Sequence, residues 1–75
     1  MRLTNKKEIM NILKNGGYVR KEDFGFSTRY VLVDSGKNAI GIIRFNTYLQ
    51  LKLNRIKEMQ TYHYTYYKLM EAENV

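Results

Sequence analysis

The sequence predicts a small α+β domain in which an antiparallel sheet of three or four strands packs against two helices. Three observations carry this reading. Apolar residues recur at helical spacing around 9–13 and 49–56; β-branched and aromatic residues cluster at 28–33, 39–45 and 60–69; and Asn15-Gly16-Gly17 and Asp34-Ser35-Gly36-Lys37-Asn38 supply turn chemistry between them. The predicted order is helix, strand, hairpin, helix, strand.

Asn5 followed three residues later by Glu8 has the form of a capping box, so a helix should begin there and run over about 5–15. Ile9, Ile12 and Leu13, with Met10 beside them, form its core-facing stripe, and Gly16-Gly17 suits its C-terminal cap. Tyr18-Val19-Arg20 is short and β-prone, and 21–27 reads as a turn or wide loop. The hairpin is the clearest local signal: 28–33 and 39–45 flank the polar turn at 34–38. Its alternation sets Tyr30 and Leu32 on one face and Val31 and Val33 on the other, without deciding which face is buried.

Asn46, or alternatively Thr47, is the expected N-cap of a second helix over about 47–58, with Leu49, Leu53 and Ile56 as its stripe, flanked by Tyr48 and Leu51. From Gln60 to Leu69, threonine and histidine alternate with tyrosine until Tyr66-Tyr67 breaks the register, which is strand chemistry. The polar residues at 71–75 are expected to fray.

Seventy-five residues make a single domain spanning 1–75. A chain of this size buries only about 60% of the surface that its unfolded form exposes, so its stability margin is thin. It has no cysteine, hence no disulfide, thiolate zinc site or cysteine nucleophile, and its single histidine, His63, has no acid at a recognisable spacing to orient it. Neither a phosphate-binding glycine loop nor a metal-ligand pattern is present. An enzyme is therefore not expected, nor any cofactor or metal. Charges interrupt every apolar run well short of the roughly 18 residues that span a bilayer, and the basic N-terminus leads into an amphipathic stretch. A cytoplasmic protein without a membrane partner is the expectation.

Thirteen Lys and Arg against seven Asp and Glu leave a net charge of +6, which points to a polyanionic partner. Lys52 and Arg55, neighbours at i, i+3 on the second helix, with Lys57 near its end, could straddle phosphates; the same residues also suit plain solvation of an outer face. Tyr62, Tyr64, Tyr66 and Tyr67, interleaved with Lys68 and near Arg29 and Arg44 on strands, have the chemistry of a single-strand surface, where bases stack on rings and cations follow the backbone. A small core without tryptophan also needs large side chains. Tyr62, Tyr64 and Tyr66 are therefore read as inward, leaving His63 and Tyr67 as the exposed surface. Lys37 projects from the hairpin tip. The expected nucleic-acid-binding set is thus Lys52, Arg55, Lys57, Arg44, Lys37, Tyr67 and His63.

The stretch Gly17-Tyr18, then 29–37 (RYVLVDSGK), 42–52 (IIRFNTYLQLK) and 66–69 (YYKL) resembles small winged-helix-like proteins of phages and mobile elements from low-GC Gram-positive bacteria, over about residues 8–69. The resemblance implies a winged-helix-like fold and a DNA-associated or accessory role. It departs from the pattern at 18–27, which is too short to hold the missing helices of a helix-turn-helix. DNA is favoured over RNA as the ligand. The alternative is a protein-interaction module, either a phage-encoded inhibitor of a host enzyme or an accessory subunit of a replication enzyme, with a homodimer through the last strand as a further option.

Overall fold

The computed structural model describes residues 2–70. Its order is α1 (Lys6–Lys14), β1 (Tyr18–Asp23), β2 (Thr28–Val33), β3 (Ala39–Ile43), α2 (Phe45–Asn54), β4 (Ile56–Gln60) and β5 (Thr65–Leu69). The five strands form one sheet in the order β3-β2-β1-β5-β4, and every pairing is antiparallel. The α+β class is as expected; the strand count is not. The added strand is β4, and β1 is longer than expected. Residues 21–23 continue β1 instead of turning, and 56–60 form β4 instead of the end of the second helix. The expected strand at 60–69 is β5 together with the turn that precedes it. The tail expected to fray, 71–75, lies outside the described residues.

α1 starts where the capping residues place it. Asn5 Oδ1 accepts the Glu8 backbone N–H at 2.8 Å, but the Glu8 carboxylate pairs with Arg2 instead of reaching back to the cap, so only half of a capping box forms. At the other end, Gly16 takes φ +93° and the Gly17 N–H returns to the Ile12 carbonyl at 2.9 Å. A Cβ on Gly17 would stand 2.5 Å from both Ile12 and the Val33 carbonyl, so this turn requires glycine.

α2 differs most from expectation. It begins at Phe45, and its N-cap is Arg44, which makes no side-chain cap bond, in place of Asn46 or Thr47. The buried residues are Tyr48 and Leu51, whereas Leu49 and Leu53 face solvent and Ile56 is buried from β4. Tyr48 decides the rotation: its ring stacks on Tyr30 with centroids 3.8 Å apart and meets Tyr67 edge-on at 5.2 Å. Burying these rings outweighs burying two leucines.

Both helices pack on one face of the sheet, where Ile9, Leu13, Tyr48 and Leu51 close over Val19, Tyr30, Leu32, Ile43, Ile56 and Tyr67. Among the described residues no helix covers the other face. The outer edge of β3 is occupied by the N-terminal segment, through Thr4 N–H to the Ile42 carbonyl at 3.0 Å and Ile42 N–H to the Arg2 carbonyl at 2.9 Å. Gly41 permits this approach, since a Cβ there would lie 2.5 Å from the Arg2 carbonyl oxygen. The last strand, β5, is interior, paired to β1 and β4, and so cannot serve as a dimer edge; the edge on that side is β4. A helix-turn-helix is likewise not seen, because β1 occupies the chain between α1 and the hairpin.

Candidate nucleic-acid interface

Strand alternation and register fix which side chains share the helix-free face. Met59, Tyr66, Arg20, Val31 and Ile42 form one row across the sheet. In the next row Lys57 stands opposite Lys68 and Tyr18 opposite Val33, and continuing the β1–β5 register brings Lys68 beside Tyr18. Glu22 faces Arg29 in a third. Val31 and Val33 are fully buried although no helix among the described residues lies above them.

Three tyrosines form a track on this face. Tyr64 and Tyr66 lie two residues apart with ring centroids 5.7 Å apart, and Tyr66 meets Tyr18 edge-to-face at 5.5 Å across the β1–β5 pair. Partial burial, then the neighbouring Tyr64, holds the Tyr18 hydroxyl above its ordinary pKa. Beyond Tyr64, the turn between β4 and β5 is fixed by Thr61, whose Oγ1 accepts the Tyr64 N–H at 3.2 Å and the His63 N–H at 3.3 Å. It leaves the Tyr62 ring 96% exposed.

Among the described residues, the face carries the cations Arg20, Arg29, Lys57 and Lys68 and a single carboxylate, Glu22. Glu22 is shared by Arg29 at 2.6 Å and Arg20 at 2.8 Å, and these bonds, Arg29 first, hold its carboxyl below the usual range. Arg29 also lies over the Phe24 ring at 5.2 Å. The cations left for an anion are the two lysines. Like charges directly opposite on paired strands are unfavourable for the fold, so a bound anion would relieve them.

The expected binding residues are not gathered in one place. Lys52, Arg55 and Arg44 belong to α2 and its ends, in the helical layer. Lys37, with φ +66°, is at the hairpin tip, at the opposite end of β3 from Arg44. His63 is exposed in the β4–β5 turn. Lys57 alone of the set is on the open face. Tyr67 is the clear correction: it is 1% exposed, it donates to Glu58 Oε1 at 3.2 Å and accepts from the Tyr48 hydroxyl at 3.0 Å, so it is a core residue. Tyr66 and Tyr64, read as inward, face outward. Tyr18, Arg20 and Lys68 are not in the expected set: Lys68 is signalled only by its place beside the tyrosines, and the polar–apolar alternation of Tyr18-Val19-Arg20 is the one signal for the other two, which needs β1 to be recognised as a full strand.

Among the described residues, no group of three metal-ligating side chains converges and no helix is long and apolar enough to cross a membrane. Comparison with protein-family models, with curated proteins and with solved structures finds no match to this chain.

Proposed function

We propose that the chain is a non-catalytic nucleic-acid-binding protein that takes up single-stranded DNA on the helix-free face of its sheet. The observation that carries this reading is the Tyr64-Tyr66-Tyr18 track beside the Lys57/Lys68 pair. Exposed rings on a sheet stack with unpaired bases, while adjacent cations follow the phosphates. A duplex, whose bases already stack on each other, gains nothing from the rings. A groove-reading mode has less support, since the exposed side of α2 is centred on the apolar row Phe45, Leu49 and Leu53, with its cations only along the flanks. The winged-helix part of the resemblance is weakened for the same reason and by the presence of one helix before β1. A DNA-associated role of the kind implied for phage and mobile-element proteins is compatible with this surface.

The test is fluorescence anisotropy with labelled single-stranded DNA, duplex DNA and single-stranded RNA over a salt series. Single-stranded DNA should bind more tightly than the duplex. Changing Lys57 and Lys68 together to Ala should reduce the slope of log K against log salt by about 1.4, at about 0.7 per phosphate neutralised on a single strand. Equal affinity for duplex and single strand, or an unchanged slope, would remove the sheet face from the site.

A further inference from the structure

α2 is apolar on two sides. One side enters the core through Tyr48 and Leu51; the other, Phe45, Leu49 and Leu53 at i, i+4, i+8, forms an outward row with exposures of 57%, 42% and 83%. At 1.5 Å rise per residue this row is about 12 Å long, the footprint of two to three turns of a partner helix. It continues the core's aromatic edge, since the Phe45 ring lies 6.1 Å from Tyr48 and 6.3 Å from Tyr30.

The charges around the row have one sign. Arg44 is at its N-terminal end, Lys52 runs alongside, and Arg55 and Lys6 border Leu53 in a shallow hollow completed by Gln50 and Leu51. α2 contains no Asp or Glu. Ion pairs among the described residues use Arg2, Arg20 and Arg29, and none of these four cations. The N-terminus of α2 also lacks what such a terminus favours: no side chain caps it and no acid lies in its first turn.

We infer that the outer face of α2 is a docking surface for an acidic amphipathic helix of another protein, whose apolar stripe covers Phe45, Leu49 and Leu53 and whose carboxylates meet Arg44, Lys52, Arg55 and Lys6. Charge selects this occupant. A second copy of this chain would set like charges against each other along the whole row. An anionic lipid surface would receive only three apolar side chains from a ten-residue helix, little anchorage even with basic flanks. The face lies on the other side of the sheet from the tyrosine track, so the inference is independent of nucleic-acid binding.

The probe is a synthetic helical peptide with leucines at i, i+3, i+4 and i+7 flanked by glutamates, compared with the same peptide flanked by lysines and with vesicles of phosphatidylglycerol and phosphatidylcholine. Amide shifts of the labelled full chain report the site. The glutamate peptide should shift α2 resonances with micromolar affinity, and the lysine peptide should bind at least about tenfold more weakly. Leu49→Glu with Leu53→Glu should abolish binding while leaving the circular dichroism melt and oligonucleotide affinity unchanged, because both leucines are solvent-facing. Lys52→Glu with Arg55→Glu should turn the preference toward the lysine peptide. Equal binding of the two peptides, binding of neither, shifts confined to residues away from α2, its flanking Arg44 and Arg55, and Lys6, or α2 shifts produced by vesicles or by raised protein concentration alone would each overturn the proposal.

Discussion

Tyr66 and Tyr67 are adjacent in the chain and belong to opposite sides of the sheet. Tyr67, with Tyr30 and Tyr48, fills the space under the helices; Tyr66, with Tyr18 and Tyr64, lies on the uncovered side. The two clusters use one residue type for different ends. Inside, a buried hydroxyl needs a partner, and for Tyr48 and Tyr67 the chain from Tyr48 through Tyr67 to Glu58 supplies it. Outside, Tyr64 is exposed and Tyr18 and Tyr66 are half-buried, so part of each ring stays uncovered. The pleat alone assigns the roles, so a tyrosine's neighbour across the strand is more informative than its neighbour along it.

Stability should separate the clusters most sharply. Tyr67→Ala removes a buried ring and should cost about 3–5 kcal/mol, comparable to the whole stability of so small a domain, at roughly 0.05–0.15 kcal/mol per residue. Tyr66→Ala on the open face should cost about 1 kcal/mol or less, the scale of a cross-strand aromatic pair. Urea unfolding of the two variants measures the difference, and similar midpoints would show that the sides are not distinct.

Ligand binding should reverse the ranking. Tyr66→Ala should weaken single-stranded DNA by about 1–3 kcal/mol, the contribution of one stacked base, while Tyr66→Phe keeps the ring and the affinity. Tyr67→Phe should leave affinity untouched and lower stability by about 1–3 kcal/mol, because Glu58 and Tyr48 both lose their buried partner. Anisotropy titrations of the three variants decide it; a loss of affinity in Tyr67→Phe would carry the ligand into the helical layer.

Alkaline pH offers a third contrast. Burial, reinforced by Tyr48, pushes the Tyr30 hydroxyl up to about 12, and burial followed by the bonds to Tyr48 and Glu58 raises that of Tyr67 further. Both folded values exceed the unfolded value of about 10. The stability tied to their protonation is therefore complete below about pH 10 and falls as pH rises through the folded values. Phenolate absorbance should rise in two stages, with Tyr30 and Tyr67 ionising only as the chain unfolds, and Tyr67→Phe should shrink the second stage. A single stage completed before unfolding would contradict their burial.

How far these roles can be read from the sequence depends on the range of the interactions that set them. α1 and the hairpin between β2 and β3 are legible because their signals are local: Asn5 caps its own helix, Gly16-Gly17 closes it, and Asp34 binds the Asn38 N–H four residues on. β4 is not legible. Ile56 follows Leu53 at i+3 and extends a helical stripe, and only the distant β5 draws 56–60 into a strand. The orientation of α2 is hidden for the same reason, since nothing near Tyr48 in the chain announces that Tyr30 and Tyr67 await it. The basic surplus is legible as a number, but its distribution is not: it spreads over α1, the hairpin tip, α2 and the open sheet face, and strand pairing, which long-range contacts decide, carries Lys57 away from Lys52 and Arg55.

The smallest expected effect concerns that distribution. Lys57 and Lys68 face each other at the β4 edge, where a charged strand also discourages pairing with another chain. Lys57→Glu replaces a repulsive cross-strand pair by an attractive one, so it should stabilise the fold by about 0.2–1 kcal/mol and, on the binding side, exchange an attraction for phosphate for a repulsion. A rise in the urea midpoint together with lost oligonucleotide affinity would mean that the lysine pair is held against the interest of stability for the sake of an anion. A rise in stability with affinity intact would leave the pair as an edge guard only. An unchanged midpoint would show the two ammonium groups already spread far enough into solvent not to interact, and the difference between the two sides of the sheet would then rest on the tyrosines alone.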